Sequence, residues 1–377
     1  MIRILFVVSI LMTNNFADDF ANYLENKFIN KKETIKDKSI KYNIAYTKAL
    51  QEYKKNIKQN FPNIDITHEN LWVQYTNQYT QKKMIDYKNS KIIFNVVAKS
   101  EKHAQNQILK LYDELYFYDV KKAFSNDFLE RKVTKNLDDV LEVPNENQKL
   151  VSDIISKEEY KRLREQLILK PFSKIEYNDK LVYKVEIDLP TSFKKEKAIL
   201  YKEYILVQSD KLNIEASLIY AIIDVNSGFN PMSKTNTPSF GLMQIQPKKS
   251  GVIAYKYLTA YTKYLSSNYL YNTKNNIELG STYLKILFYD DLININNFKS
   301  RWYCTIVSYK VGSENLAKAF SKNGNIKDAI NIMNTVSSDQ VYKRLMKKLP
   351  NRETRTYLFK VLRLIKKYKR LLGTNKI

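Results

Sequence analysis

The side chains best suited to making and breaking bonds are scarce in this sequence. Its 377 residues include one cysteine, Cys304, and two histidines, His68 and His103, far from any motif. A lone cysteine permits no intramolecular disulfide and no cysteine-based metal site, so neither a metal nor a Cys/His nucleophile mechanism is expected. No cofactor is expected either, because no Gly-rich phosphate loop or zinc spacing occurs. Polar and aromatic residues gather instead in short islands of the second half. Ala221 to Pro231 contains Asp224, Asn226, Ser227, Gly228 and Phe229. Ser239 to Ile245 contains Gly241, Leu242, Met243 and Gln244. Asn276 to Leu284, Val307 to Gly312 with Tyr309 and Lys310, and Glu353 to Tyr357 follow. Amides, hydroxyls and aromatic faces stack and hydrogen-bond without reacting, so the chemistry within reach is recognition. Taken singly, each island also fits a helix end, a packing glycine or a core stripe.

The elements that must position these islands can be read from periodicity. Met1-Ile2-Arg3, the apolar run Ile4 to Met12 and the polar break after it have the form of a secretory signal over residues 1–17. Nine apolar residues are too few to cross a bilayer, and no cysteine follows them, so a soluble exported protein without a lipoprotein anchor is expected. Residues 18–190 read as an α+β domain. One or two amphipathic helices fill 18–60; a hairpin pairs Met84–Tyr87 with Ile92–Ala98 across Lys88-Asn89-Ser90; a helix from Glu101 to Tyr118 covers it. Residues 126–150, polar and holding Pro144, read as a surface connection. A helix from Ser156 to Leu169, stopped by Pro171, and a third strand from Lys180 to Leu189 complete the unit. Residues 191–377 show no strand pattern and read as all-α, with helices at about 194–210, 215–226, 276–288, 299–310, 312–320, 326–333, 338–348 and 352–371. Lys and Arg number 63 against 39 Asp and Glu, a net charge of +24. That charge would favour peripheral association with anionic envelope surfaces, but no compact basic block points to nucleic acid.

In their order, the islands resemble the lytic transglycosylase module of the soluble (SLT) type. Its signature runs Glu-Ser-x-Phe-x-Pro, Gly-Leu-Met-Gln, Asn-x-x-x-Gly-x-x-Tyr-Leu and Ala-Tyr-Asn-x-Gly. Trp72-Val73-Gln74-Tyr75-Thr76, the hairpin and the helix after it are similar to the N-terminal domain of the membrane-bound lytic murein transglycosylase C family, so the resemblance covers most of residues 70–370. It implies a lysozyme-like, goose-type all-α domain after the α+β domain, located in the periplasm or cell envelope. It also implies cleavage of the muramic acid to glucosamine β-1,4 bond of peptidoglycan glycan strands, leaving a 1,6-anhydromuramic end. One glutamate does the proton work in that family, giving a proton to the leaving oxygen and then taking one from the muramic 6-hydroxyl.

Aligned on Ser227, Phe229 and Pro231, that glutamate falls on Asn226. An amide has no titratable proton, so loss of most activity is expected. Asp224 lies about 200° round the helix from Asn226, Glu215 is eleven residues and roughly 16 Å away along the axis, and Glu278 belongs to another helix. By the same resemblance Ser227, Met243, Gln244, Tyr309 and Tyr357 line a sugar groove, whereas Lys310 replaces an asparagine, Ser308 an alanine, and Gly228 suggests a slightly looser turn. The leading expectation is a glycan-binding protein with catalysis lost or much reduced. One alternative is an active divergent transglycosylase with a carboxylate oxygen within about 3–4 Å of the scissile oxygen. Another is a structural or partner-binding scaffold with a groove filled by side chains such as Lys310.

Overall fold

In the computed structural model of the protein, the described residues are 34–137, 141–235, 238–349 and 351–373. The signal at 1–17 and the first part of the N-terminal helical stretch lie outside them. Strands β1 (Leu71–Thr76), β2 (Gln81–Asp86), β3 (Lys91–Val97), β4 (Ser173–Tyr177) and β5 (Lys180–Asp188) form one antiparallel sheet in the order β1-β2-β3-β5-β4. In β3, Ile92, Phe94 and Val96 alternate toward the core and are fully buried, as a half-covered strand requires. The expected hairpin is therefore the centre of a larger sheet. Two of its strands escape a reading by alternation. β1 and β2 are joined by a turn with Asn77, Gln78 and Tyr79 at φ 49°, 54° and 64°, which carries no glycine to mark it. β4 is an edge strand whose residues are mostly exposed, so no buried face imposes a pattern.

The helices of this half follow their caps. α1 (Ile35–Ile57) starts at Thr34, whose side chain and that of Asp37 cap each other's backbone. It buries Tyr42, Ala45, Tyr46, Ala49, Tyr53 and Ile57 at helical spacing. α2 (Glu101–Tyr116) starts at a Ser100 cap and packs Tyr112 edge-on to Phe94 at 6.4 Å. The stretch 126–150 is more structured than a surface connection. After the short α3 (Val120–Ser125), Asp127 accepts from the Glu130 backbone and opens α4 (Phe128–Asn136), which buries Leu129 and Val133 and stacks Phe128 on Tyr53 at 5.0 Å. Two apolar positions among charged residues are too few to declare a helix, but one turn apart they form a face. α5 (Lys157–Leu169) lies where expected and stacks Tyr160 on Tyr112 at 5.1 Å.

Among the described residues the second half is built of helices joined by irregular segments, with only isolated bridges Lys234–Phe240 and Phe240–Ile245 between them: α6 (Phe193–Ile199), α7 (Lys202–Leu212), α8 (Ala216–Ser227), α9 (Ser250–Thr259), α10 (Ser267–Tyr271), α11 (Thr273–Ile286), which continues into a π-helical turn (Leu287–Asp291), α12 (Phe298–Val311), α13 (Ser313–Lys318), α14 (Ile326–Asn334), α15 (Ser338–Lys348) and α16 (Arg352–Leu372). The single helix expected at 194–210 is broken at Tyr201, whose ring turns inward and stacks on Phe229 at 6.0 Å. α9 and α10 were not anticipated: one begins with Ser-Gly and carries β-branched and aromatic residues, and the other has five residues, all weak helix signals. α8 is apolar around most of its circumference and runs through the centre, covered by α7 and α16.

The two halves share one core. Asn230 donates to the carbonyls of His68 and Glu69, both at 3.4 Å. Buried Lys234 pairs with buried Glu130 at 3.2 Å, and Ser267 donates to the other Glu130 oxygen at 2.7 Å. Among the described residues no helix is long and apolar enough to cross a membrane.

Candidate functional site

The last turn of α8 carries Asn226, which is 6% exposed. Ser227 closes the helix, donating to the Ile223 carbonyl at 3.0 Å and accepting from the Phe229 backbone at 3.1 Å. Gly228 then turns the chain at φ +58°, and a Cβ there would lie 2.4 Å from Asn70 Oδ1. A side chain there would need both a left-handed backbone, which glycine adopts most readily, and a shift of the Asn70 side chain. The turn is thus tightly packed against the loop before β1, rather than loose.

The second island crosses next to this turn and is fastened by Asn276 of α11. Asn276 donates to the carbonyls of Phe240 (2.8 Å) and Leu270 (2.7 Å), and its oxygen accepts from the Met243 backbone at 2.8 Å. The Met243 carbonyl in turn accepts from Asn226 Nδ2 at 3.3 Å and from the Tyr309 hydroxyl at 2.8 Å. Four islands distant in sequence therefore meet on one residue. Gln244 holds a left-handed backbone at φ 55°, a sparsely populated conformation for a non-glycine residue. Its Nε2 donates to Ser233 Oγ at 2.7 Å and to the Gly241 carbonyl at 2.9 Å.

These contacts surround a groove of about 890 Å³. Four of the expected residues line it: Asn226, Gln244, Tyr309 and Tyr357. Ser227 and Met243 do not reach its wall. Both are fully buried, and the Met243 side chain packs on Gly280 so closely that a Cβ there would come within 2.4 Å of its Sδ. Their part is to hold the wall in place. The sequence reading missed Glu69 and Asn70 before β1, Lys249 at the start of α9, Tyr283 of α11, and Arg352 and Lys360 of α16. The last two share a helical face with Thr356, a spacing of four that was legible from Tyr357 onward. Glu69 and Asn70 carried no local signal, since only the folding of one half onto the other brings them here.

Hydrogen-bonding capacity is left over in the lining. Gln244 Oε1 and Ser308 Oγ are buried and have no hydrogen-bond partner among the described residues. Tyr357 lies beside the Asn226 amide, which partly offsets the upward pKa shift that burial imposes on it. Burial also raises Tyr309 well above the usual range, so both phenols remain protonated donors at neutral pH. Tyr283 and Tyr309 present rings 5.5 Å apart and tilted by 50°.

The carboxylates are disposed elsewhere. Asp224 faces away from Asn226 as its helical angle requires, accepting from the Tyr368 hydroxyl at 2.7 Å and pairing with Lys367 at 3.4 Å. Glu215 pairs with Lys369 at 3.1 Å and Glu278 with Lys211 at 3.0 Å. The acidic side chains of the lining are Glu69 and Glu353. Glu353 is mostly exposed and tied to Lys310 at 3.0 Å, while Glu69 lies 3.7 Å from His68. Among the described residues no group of three or more His, Cys, Asp or Glu could hold a metal ion. The arrangement can hydrogen-bond and stack a polar, ring-shaped ligand, but Asn226 can neither donate nor recover a proton.

The chain is similar in sequence to known proteins. Residues 203–332 match the transglycosylase SLT domain family, a span that holds the first four islands. The chain is 33% identical over 190 residues to membrane-bound lytic murein transglycosylase C of Yersinia enterocolitica, covering 50% of this chain and 52% of that one. It is 34% identical over 181 residues to the protein of the same name from Photorhabdus laumondii, covering 48% and 50%. The chain spans about half the length of the curated relatives it matches. Among solved structures it is similar to an inactive mutant of the lytic transglycosylase Slt from Pseudomonas aeruginosa, with TM-score 0.36 and 17% identity over 48% of this chain and 28% of that one. It is also similar to the 70-kDa soluble lytic transglycosylase of Escherichia coli, with TM-score 0.36 and 15% identity over 72% and 44%. The resemblance carried by the islands is therefore matched in sequence, with a transglycosylase SLT domain at 203–332.

Proposed function

We propose that this protein binds peptidoglycan glycan strands in the cell envelope through the groove around Asn226, with transglycosylase catalysis lost or strongly reduced. In this reading it is exported by residues 1–17, carries an N-terminal α+β domain to residue 190, and uses the following lysozyme-like domain for recognition. The observation that carries the proposal is the state of the groove. It is open and lined by Asn226, Gln244, Tyr309 and Tyr357, with the Tyr283 and Tyr309 rings 5.5 Å apart. Amides, hydroxyls and aromatic faces in one concave wall suit a ligand rich in hydroxyl and acetamido groups.

An open groove with Lys310 drawn to Glu353 supports binding over a scaffold whose cleft is filled. The ion pairs of Asp224, Glu215 and Glu278 support loss of catalysis over a relocated acid. Cosedimentation with purified sacculi, followed by mass detection of released muropeptides, tests both halves. The expected result is saturable binding without 1,6-anhydro products. Absence of binding overturns the glycan reading, and abundant anhydro products from the unmodified protein overturn the loss of catalysis.

A further inference from the structure

We infer that Glu130 and Glu146, two carboxylates of the N-terminal half that lie outside the groove lining, are positioning residues for its wall; that the wall serves a glycan rests on the reading above. The wall in question is the stretch from Ser233 to Ile245, which contributes Thr235, Ser239 and Gln244 to the lining. It is held from two sides. On one side Glu130 of α4, itself buried, accepts from Lys234 at 3.2 Å and from Ser267 at 2.7 Å. Lys234 is also buried and follows Ser233, whose Oγ accepts from Gln244 Nε2 at 2.7 Å and whose carbonyl accepts from the Gly241 backbone at 2.8 Å. On the other side Glu146 accepts from the Gln148 backbone at 3.2 Å and from the Thr273 backbone at 3.0 Å. Thr273 opens α11, and its N–H is one of the donors that a helix start leaves without an intrahelical partner. One turn further on, Asn276 fastens the Phe240 carbonyl and the Met243 backbone.

Charge makes both contacts directional. Removing an ammonium and a carboxylate from water is costly, and the loss is repaid only when the two groups sit in good geometry. An apolar contact between α4 and residue 234 would tolerate sliding, whereas the ion pair fixes Lys234 against α4 and with it the neighbouring Ser233. A carboxylate at the first turn of a helix complements the helix dipole, so Glu146 fixes where α11 begins and therefore where Asn276 stands. Neither link is local: Glu130 and Lys234 are 104 residues apart, and Glu146 and Thr273 are 127 apart. The N-terminal half contributes Glu69 and Asn70 to the lining directly, and through these two carboxylates it also sets the frame behind the opposite residues.

The test uses the full chain and the variants Glu130→Gln, Glu146→Ala and Asp113→Asn. The last breaks the pair with Arg164 at 2.8 Å inside the N-terminal half, away from the groove, and controls for lost stability alone. Amide hydrogen exchange reads the wall without a ligand, at Gly241, Met243, Gln244 and Ile245, whose amides all donate within the frame. Glu130→Gln and Glu146→Ala should speed exchange there by roughly tenfold, about one hydrogen bond to a charged group, and leave the β3 amides unchanged. Asp113→Asn should leave the wall amides as in the parent. Glu146→Gln, which keeps an acceptor oxygen, should fall between the parent and Glu146→Ala. Glu146 is only half-buried, so its variants decide the matter even if Glu130→Gln does not fold. Binding to sacculi, measured well below each unfolding midpoint, should weaken in Glu130→Gln and Glu146→Ala and not in Asp113→Asn. Wall amides that exchange as in the parent, or that Asp113→Asn speeds equally, overturn the inference, and so does faster exchange with undiminished binding. A parent that binds no sacculi overturns the glycan-binding reading instead, and the exchange rates still decide the positioning roles.

Discussion

Replacing Asn226 by glutamate should return transglycosylase activity to the groove. The side chain at this position is 6% exposed, its Nδ2 lies 3.3 Å from the Met243 carbonyl, and the buried Tyr357 hydroxyl lies beside it. A carboxyl group introduced there loses most of its hydration and meets a carbonyl lone pair, and both effects disfavour the anion. Its pKa should rise well above the ordinary carboxylate value, and the neutral acid can donate to the carbonyl where the amide donates now. A neutral acid is what protonation of a leaving glycosidic oxygen requires, and the Tyr357 hydroxyl remains to support the anion once the proton has gone.

General acid–base catalysis contributes about 10²–10⁴-fold, or roughly 3–5 kcal/mol of barrier at about 1.4 kcal/mol per decade. Asn226→Glu should therefore release 1,6-anhydromuropeptides from sacculi at least about a hundredfold faster than the unmodified chain. Activity should fall as pH rises through the raised pKa, because the proton to be given is then absent. Asn226→Gln, of equal length but without a transferable proton, should stay inactive. The reasoning is refuted if Asn226→Glu folds and binds sacculi yet yields no more anhydro product than Asn226→Gln.

Further predictions concern the frame that holds the groove. Gly280→Ala places a Cβ 2.4 Å from Met243 Sδ and should destabilise the protein by about 1–3 kcal/mol through overpacking, read as a lower urea midpoint. Lys234→Met leaves the buried Glu130 without its ammonium partner and should cost about 3–5 kcal/mol, whereas Lys234→Met with Glu130→Leu should recover much of that loss in the same denaturation assay. Lys197 is pushed down to about 8 from 10.5 by burial. Between these values the unfolded chain binds more protons than the folded one, so this lysine's contribution to stability rises with pH from about 8 to 10.5 and gains nothing further below that window. Burial lowers Lys83 to about 8 as well, so denaturation across that range should show a smaller rise in Lys197→Met than in the parent, and parallel profiles would refute the assignment.

The long helices with clear caps were legible before the structure, because caps and periodic apolar faces are local signals: α2, α5, α15 and α16 lie within a few residues of their expected bounds. The islands were legible as one set for the same kind of reason, and the span that matches the transglycosylase SLT domain, residues 203–332, holds the first four of them. What stayed hidden depends on contacts between distant segments. β4 has no buried face to pattern it, and α4 declares itself only once Leu129 and Val133 meet α1. Ser227 and Met243 show the converse failure. Both were expected to line the groove, but a sequence cannot distinguish a side chain that faces a groove from one that supports the residue facing it. Ser227 bonds its own helix and Met243 fills the space over Gly280, which is support.

Asn226 differs in one particular way from the glutamate of the signature that the islands resemble. The Met243 carbonyl collects donors from Asn226 and from Tyr309, so the residue at 226 must offer a hydrogen to keep that junction satisfied. A protonated carboxylic acid offers one, and so does a primary amide; an ionised aspartate or an alanine does not. Asparagine also keeps an oxygen for a ligand, as the acid would. Compared with the glutamate of the family signature, asparagine lacks the mobile proton but supports the same hydrogen-bonding pattern that joins the islands into one wall. A wall in place without a mobile proton at 226 is what supports the proposed reading of a protein that holds its strand without cutting it.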